Sequence, residues 1–346
     1  MKTTTLFFAL TTAIALSPAA EAQVADQVAP LRGTPATGRI VAMSKTELSV
    51  EVRGAARKFA VNEIRRVIFT EDPQELRRAR DNCLAGRFDA ALATLKQIDP
   101  ASIQRKEVKQ DLQFYLAYAE GRQALSGGGD KEAASQRMFE FVRHNQQSFH
   151  FFEAAELLGD LAVSMEKYHS AVAYYRAIAN SAPWPDYKMK ASILQAKALI
   201  APGKFAEATE KLSAVTQQTV DTPQATRQKL LAEVITSVCA AETGDHETAI
   251  AALHKFIANN DDQDQELFGH AYNALGRCQL RAGRQQEALL AYLHVDILFY
   301  AEPDVHAEAL YNLSKLWSAV GKTDRAVGAR SLLMEQYAGS VWARKE

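Results

Sequence analysis

One short phrase recurs along this chain and limits what it can fold into: a turn residue, usually glycine, with alanine five positions later. It stands at Gly86–Ala91 (GRFDAA), Gly129–Ala134 (GDKEAA), Glu166–Ala171 (EKYHSA), Gly203–Ala208 (GKFAEA), Gly244–Ala249 (GDHETA), Gly283–Ala288 (GRQQEA) and Gly321–Ala326 (GKTDRA). Successive turns lie 43, 37, 37, 41, 39 and 38 residues apart, a period in the range of stacked helical hairpins. Glycine permits a tight reversal between two helices, and the alanine lets them approach closely. The residue four places further on, Tyr175 or Leu212 for example, fills the groove against the next pair. One hairpin cannot bury its apolar face alone, whereas a stack can. The pattern predicts a mainly α chain, a solenoid of about seven hairpins over residues 72–346.

Two units carry more than the turn and the alanine. The third has Leu158, Gly159, Ala171, Tyr175 and a closing Pro183; the sixth has Tyr272, Leu275, Gly276, Gly283, Ala288 and Tyr292. These residues resemble the tetratricopeptide repeat family over about residues 73–342, although every spacing here exceeds the family's 34 residues. The resemblance implies a right-handed superhelix whose groove holds protein or peptide partners, and it is nearly silent about activity. Asp72, Pro73 and Glu75 announce the first helix, with Asp72 expected as its cap.

Upstream of residue 72 the period changes from helical to two. Ile40 and Ala42, then Leu48, Val50 and Val52, then Phe59 and Val61, then Val67 and Phe69 alternate as strands with one buried face do. Turn signals at Ser44-Lys45 and Arg53-Gly54 separate them, and residues 23–37 read as a leader or a first edge strand. Four or five short strands over residues 23–71 predict a small, strongly bent β module, barrel-like, that docks on the helices after it. Gly38 to Val41 and Val61 to Val67 look like Sm-like or SH3-like barrels, which implies an assembly role. Residues 1–22 read as a signal peptide: Lys2 is the basic start, Leu6 to Leu16 the apolar stretch, and Ala20 and Ala22 the small residues before a cut. Gln23 follows the cut rather than a lipid-accepting cysteine, so the expectation is an exported, periplasmic or extracellular chain that is soluble once cleaved and lacks a transmembrane segment.

The 40 basic residues are balanced by 41 acidic ones, a formal charge of -1, which lacks the electrostatic footprint of a general nucleic-acid binder. Cys83, Cys239 and Cys278 have no metal-knuckle spacing and fall in helical apolar patterns, so buried free thiols are expected. Phosphate-loop, dinucleotide, nucleophile-elbow and zinc-protease motifs are missing, so no catalytic residue, cofactor or metal is assigned. The Gly127-Gly128-Gly129 run reads as an inter-helix turn, His150 with Glu153 as a capping or surface pair, and Asp261, Asp262, Asp264 and Glu266 as a solvated loop. Arg65, Arg66, Arg77, Arg78 and Arg80 cluster where the two modules meet and are expected to bridge them or keep a surface wet.

Setting each turn to position 15 of its repeat, the resemblance implies that first-helix positions 2, 5, 9, 12 and 13 line the concave groove. They give acidic Glu153, Glu156 and Asp160 in the third unit, Lys190 and Lys197 in the fourth, and a basic, amide-rich end in the last two. Arginine offers paired donors to a carboxylate and asparagine adds a neutral one. Asn273, Arg277, Arg281, Asn312 and Lys315 are therefore the candidate site for an anion or a peptide terminus. The reading is an extracytoplasmic scaffold or adaptor, without enzymatic activity, that binds protein or peptide partners. The alternative is a structural envelope component that self-associates through its N-terminal β module.

Overall fold

The computed structural model describes residues 25–345; the expected signal peptide lies outside them. Five strands come first: β1 (Asp26–Pro30), β2 (Ala36–Met43), β3 (Glu47–Val52), β4 (Ala55–Ala60) and β5 (Ile64–Ile68). They form one antiparallel sheet in the order β4-β3-β2-β1-β5. The order corrects two expectations. Strand β1 lies between β2 and β5 rather than at an edge, and the sheet is open, because β4 and β5 are its two ends. Barrel closure is unnecessary because helices supply the missing wall. Val28, Leu48, Val50, Phe59, Val67 and Phe69 share one core with Leu76, Ala79, Leu92, Leu95, Val108 and Leu112. A slip in the β2–β3 register between Ile40 and Ala42 bends β2.

Among the described residues fourteen helices follow as seven antiparallel hairpins, and a short fifteenth comes last. The hairpins are α1 (Gln74–Leu84) with α2 (Phe88–Leu95), α3 (Lys106–Leu125) with α4 (Lys131–His144), α5 (Phe151–Ser164) with α6 (Tyr168–Ser181), and α7 (Pro185–Ile200) with α8 (Phe205–Thr216). Then come α9 (Pro223–Glu242) with α10 (His246–Asn259), α11 (Gln265–Arg281) with α12 (Gln285–Leu298), α13 (Pro303–Ala319) with α14 (Thr323–Gln336), and finally α15 (Val341–Arg344). Proline opens α7, α9 and α13, where its missing N–H costs nothing.

The repeated phrase acts as its chemistry requires. Gly86, Gly203, Gly244, Gly283 and Gly321 all take positive φ at the hairpin turns. Two units depart from the phrase. In the third, Glu166 holds φ 60 without being glycine. In the second, Gly127 and not Gly129 takes the left-handed conformation, and Gly128 and Gly129 lengthen the turn until Asp130 caps α4 by accepting from the Glu132 and Ala133 amides. The Leu-Gly pairs of the third and sixth units are explained by packing: a Cβ on Gly159 would sit in the Tyr175 ring, and one on Gly276 would lie 2.7 Å from the Tyr292 ring.

Buried ion pairs join the sheet to the first hairpins. Arg80, 1% exposed, donates to both oxygens of Asp72 and to Asp111, whose side chains are 0% and 1% exposed. Asp72 also accepts the Phe69 amide, so its carboxylate is occupied and does not cap α1; Pro73 is the N-cap residue instead. Asp111 bonds His150 at 2.8 Å, and the His150 ring stacks on Phe114 at 3.6 Å. His150 is thus buried at the N-cap position of α5; it does pair with Glu153, Nδ1 to carboxylate oxygen 3.5 Å, but from the interior and not as a surface pair. Arg105 forks onto Asp26 at 2.5 and 2.9 Å. Burial pushes the Asp26 carboxyl up, but Arg105 and the Thr70 and Ile40 amides outweigh it and hold it below the usual carboxylate range. Arg66 reaches Asp81 from the sheet side, so two members of the arginine cluster do bridge the modules.

The superhelix returns on itself. Gly339, just before α15, lies against the α3–α4 turn: a Cβ there would fall on the Leu125 carbonyl oxygen. The Lys131 ammonium donates to the Gly339 carbonyl and the Arg344 guanidinium to the Ser164 carbonyl. The seventh hairpin therefore meets the second and third, and hairpins two to seven make one closed turn. First helices pack on one another inside it, α3 on α5, α7 on α9, α9 on α11 and α11 on α13, with the second helices outside.

Candidate functional site

The inner wall is built by the first helices, and polar side chains of different first helices face one another. On α5, Glu156 binds Lys190 of α7 at 2.6 Å, and Asp160 accepts from the Tyr175 hydroxyl at 2.8 Å with Arg122 of α3 at 3.9 Å. Burial and the neighbouring Glu156 push the Asp160 carboxyl up to about 7. Lys197 of α7 reaches across α9 to His270 of α11, Nζ to Nε2 3.1 Å. Burial drives both pKa values down, and for His270 the adjacent Lys197 charge adds to it. On α13 burial raises the Glu308 carboxyl against the opposing pull of Arg277, Lys345 and Lys197. The wall thus carries both signs of charge.

The five residues singled out from the sequence all lie on the neighbouring helices α11 and α13, but they do not converge as a cluster of free donors. Arg277 and Arg281 both bind Glu242 at the end of α9, each at 2.6 Å, and that carboxylate is 4% exposed. Asn273 is buried; its Nδ2 donates to the Val305 carbonyl at 2.8 Å, while its Oδ1 has no protein partner. Asn312 donates to the Glu308 carbonyl one turn back. Lys315 is exposed, with its ammonium 5.8 Å from the Tyr311 ring centre. Arg281 and Lys315 are the exposed members, and two guanidinium groups on one carboxylate leave a net positive charge.

Sequence reasoning missed Glu242 and Glu308. Glu308 stands at position 2 of its repeat, the register slot that also yields Glu153, Lys190 and His270, so the same count contained it. Glu242 stands at position 13 of its repeat, the slot that also yields Arg281, so the count contained it as well. The acidic loop is only partly solvated, because Asp264 caps α11 through the Leu267 amide and, with Glu266, holds Arg227. All three cysteines are buried free thiols. Among the described residues no group of His, Cys, Asp and Glu has the arrangement of a metal site, and no helix is long and apolar enough to cross a membrane.

A mainly α solenoid of nested hairpins with this turn chemistry is the tetratricopeptide-repeat fold, here preceded by a small five-stranded antiparallel sheet. Solved structures agree. A tetratricopeptide repeat protein from Parabacteroides merdae superposes with TM-score 0.53 at 14% identity, covering 76% of this chain and 92% of its own. A Rap protein, solved in complex with Competence and Sporulation Factor, superposes with TM-score 0.51 at 15% identity, covering 78% of this chain and 76% of its own. At such identities the likeness concerns the fold. No protein-family model matches the sequence, and no curated protein does.

Proposed function

We propose that this chain is an extracytoplasmic scaffold that holds partner proteins or peptides on the concave face of its superhelix and catalyses nothing itself. The observation that carries the reading is the concave wall, where first helices of six successive hairpins present charged and amide side chains to one shared space. Arg281 and Lys315, the exposed cations of the candidate set, would meet an acidic group of the partner; Asn273, with one unpaired buried oxygen, Arg277 and Asn312 would hold the helices that place them. Export rests on the sequence of residues 1–22.

Site-specific photocrosslinking in the native host tests this. A crosslinker replacing Lys315 on the inner wall should trap a partner that one replacing Lys255, exposed on the outer helix α10, does not. Arg281→Glu in the chain that carries the inner-wall crosslinker should abolish the adduct. Equal trapping from both positions, or a reversal without effect, would sink the concave assignment. A second reading, self-association through the N-terminal sheet, is favoured by the two free edges at β4 and β5. It requires a concentration-dependent mass that disappears when residues 23–70 are deleted.

A further inference from the structure

The outer face of the last two hairpins departs from the rest of the array. Of the eleven large apolar side chains that stand exposed among the described residues, α6, α8 and α10 carry none. Six of them, Leu290, Ile297, Leu298, Tyr300, Val327 and Met334, lie on α12, on α14 and just after α12, each 46–63% exposed. They are ordered. Leu290, the half-buried Leu293, Ile297 and Tyr300 recur at spacings of three, four and three, the pattern by which one helix lays a stripe against another. Val327 and Met334 are likewise seven apart. His306 of α13 joins the two helices: its ring bonds Asp296 of α12 and the Tyr337 hydroxyl just past α14, each at 2.8 Å, so the stripes are neighbours.

Glycine in the interior of an exposed helix is costly, and the fold explains the other helical glycines. A Cβ on Gly121, Gly159, Gly269 or Gly276 would fall 2.2–2.7 Å from a neighbouring side chain. On Gly328, beside Val327 in α14, it would meet nothing within 4 Å among the described residues. A second molecule that comes close to α14 supplies the missing reason, and charge, area and register identify it. An anionic lipid layer calls for lysine and arginine beside the apolar stripe. Helix α12 has neither, and α14 balances Arg325 and Arg330 with Asp324 and Glu335. Six side chains of this size, about half exposed, offer on the order of 500 Å² of apolar surface; at the about 65% apolar share of homodimer interfaces this corresponds to roughly 800 Å² per subunit, the area a stable dimer buries. Register constrains the occupant further. Leu290 and Ile297 stand 7 and 14 residues after Gly283, Val327 and Met334 6 and 13 after Gly321, and both helices start two residues after their glycine. The midpoints of the two pairs therefore lie at nearly the same level. One two-fold axis across both helices brings Leu290 onto Ile297, and Val327 onto Met334, of a second copy.

We propose that the outer faces of α12 and α14 form a homodimer interface, each helix antiparallel to its own counterpart, with Gly328 where the two copies approach most closely. The interface is separate from the concave face and from the free sheet edges. Sedimentation equilibrium of the chain from Gln23 onward tests it: the mass should rise with concentration towards twice that of one chain. Leu290→Glu with Ile297→Glu should raise the dissociation constant about 100-fold. Gly328→Gln, a better helix former with room in the single chain, should raise it about tenfold, while circular dichroism keeps the helical signal of both variants. Leu84→Glu, at the exposed end of α1, should leave the dimer intact. For the register, chains carrying Leu290→Cys and chains carrying Ile297→Cys are mixed under mild oxidation. The native thiols are buried, and identical positions on antiparallel copies lie about 10 Å apart, so the mixed disulfide should form about fivefold faster than either self-disulfide. A chain that stays monomeric at about 100 μM, or that floats with anionic vesicles in place of dimerising, would overturn the proposal. So would a mass unmoved by the two glutamates, which would put association at the sheet edges or elsewhere, a Gly328→Gln chain that dimerises as well as the wild type, or self-disulfides as fast as the mixed one.

Discussion

Replacing Arg80 with methionine should loosen the sheet from the solenoid without unfolding the rest. The substitution keeps the volume and removes the charge. It leaves two carboxylates, Asp72 and Asp111, with side chains 0% and 1% exposed and no guanidinium between them. Each retains one partner, the Phe69 amide for Asp72 and His150 for Asp111, both at 2.8 Å. Removing one member of a buried ion pair while its partner stays typically costs about 3–5 kcal/mol. Because the shared core joins β1 to β5 with α1–α3, the loss should appear there first. Amide hydrogen exchange resolves it: a loss of about 3 kcal/mol raises exchange through local opening on the order of 100-fold, in β5 and α1 and not in α11–α13. In the native protein burial pushes the Asp111 carboxyl up, but Arg80 and His150 hold it below its ordinary value. Without Arg80 burial prevails, the folded-state pKa rises, and the penalty lies above the unfolded value of about 3.9. The gap between variant and wild type should therefore narrow as pH falls from 7 towards 4. Adding Asp72→Asn and Asp111→Asn should restore most of the protection. A change under fivefold, or one spread evenly over all hairpins, would refute the claim that this network fastens the sheet.

Asp160, raised to about 7 from 3.8, binds an extra proton in the folded state between those values, so its contribution disfavours folding increasingly as pH rises from about 4 to 7. The shift corresponds to at most about 4 kcal/mol, less because 28% of the side chain meets solvent. Asp160→Asn, which keeps an acceptor for Tyr175, should gain about 1–2 kcal/mol at pH 8 and almost nothing at pH 4 in paired urea titrations. Gly159→Ala should cost about 1–3 kcal/mol by forcing Tyr175 aside, and a double-mutant cycle with Tyr175→Leu should recover most of it. Burial pushes the Cys83 and Cys278 thiols up to about 12 and raises that of Cys239, so at pH 8 an aromatic disulfide reagent should label none of the three until the chain is unfolded. Fast labelling of the native protein would contradict their burial.

The hairpins were legible because each turn is a local event: a glycine with positive φ and an alanine a fixed distance on suffice to mark it, and even Glu166 was found by its place in the period. The second turn was misplaced by two residues because Gly127, Gly128 and Gly129 offer the same permissive chemistry, and Gly127, whose amide closes α3 on the Ala124 carbonyl, packs against Gly339, about 210 residues away. Strand β1 was hard to place for the same reason, since its interior position depends on β5, about 40 residues distant. The candidate site was legible as a register of positions on α11 and α13 but not as a state of charge, because Glu242 comes from the preceding hairpin and neutralises part of what Arg277 and Arg281 would otherwise offer.

Closure also bears on how this array can change length. An open solenoid gains or loses a repeat at its end with little effect on the others, since each unit answers only to its neighbours. Here Gly339 must arrive at the α3–α4 turn, and one hairpin more or fewer between them would carry it past or leave it short. The repeat number behind the second hairpin is thereby fixed by geometry, and insertions are confined to the outer loops, where they lengthen a turn without moving the seam.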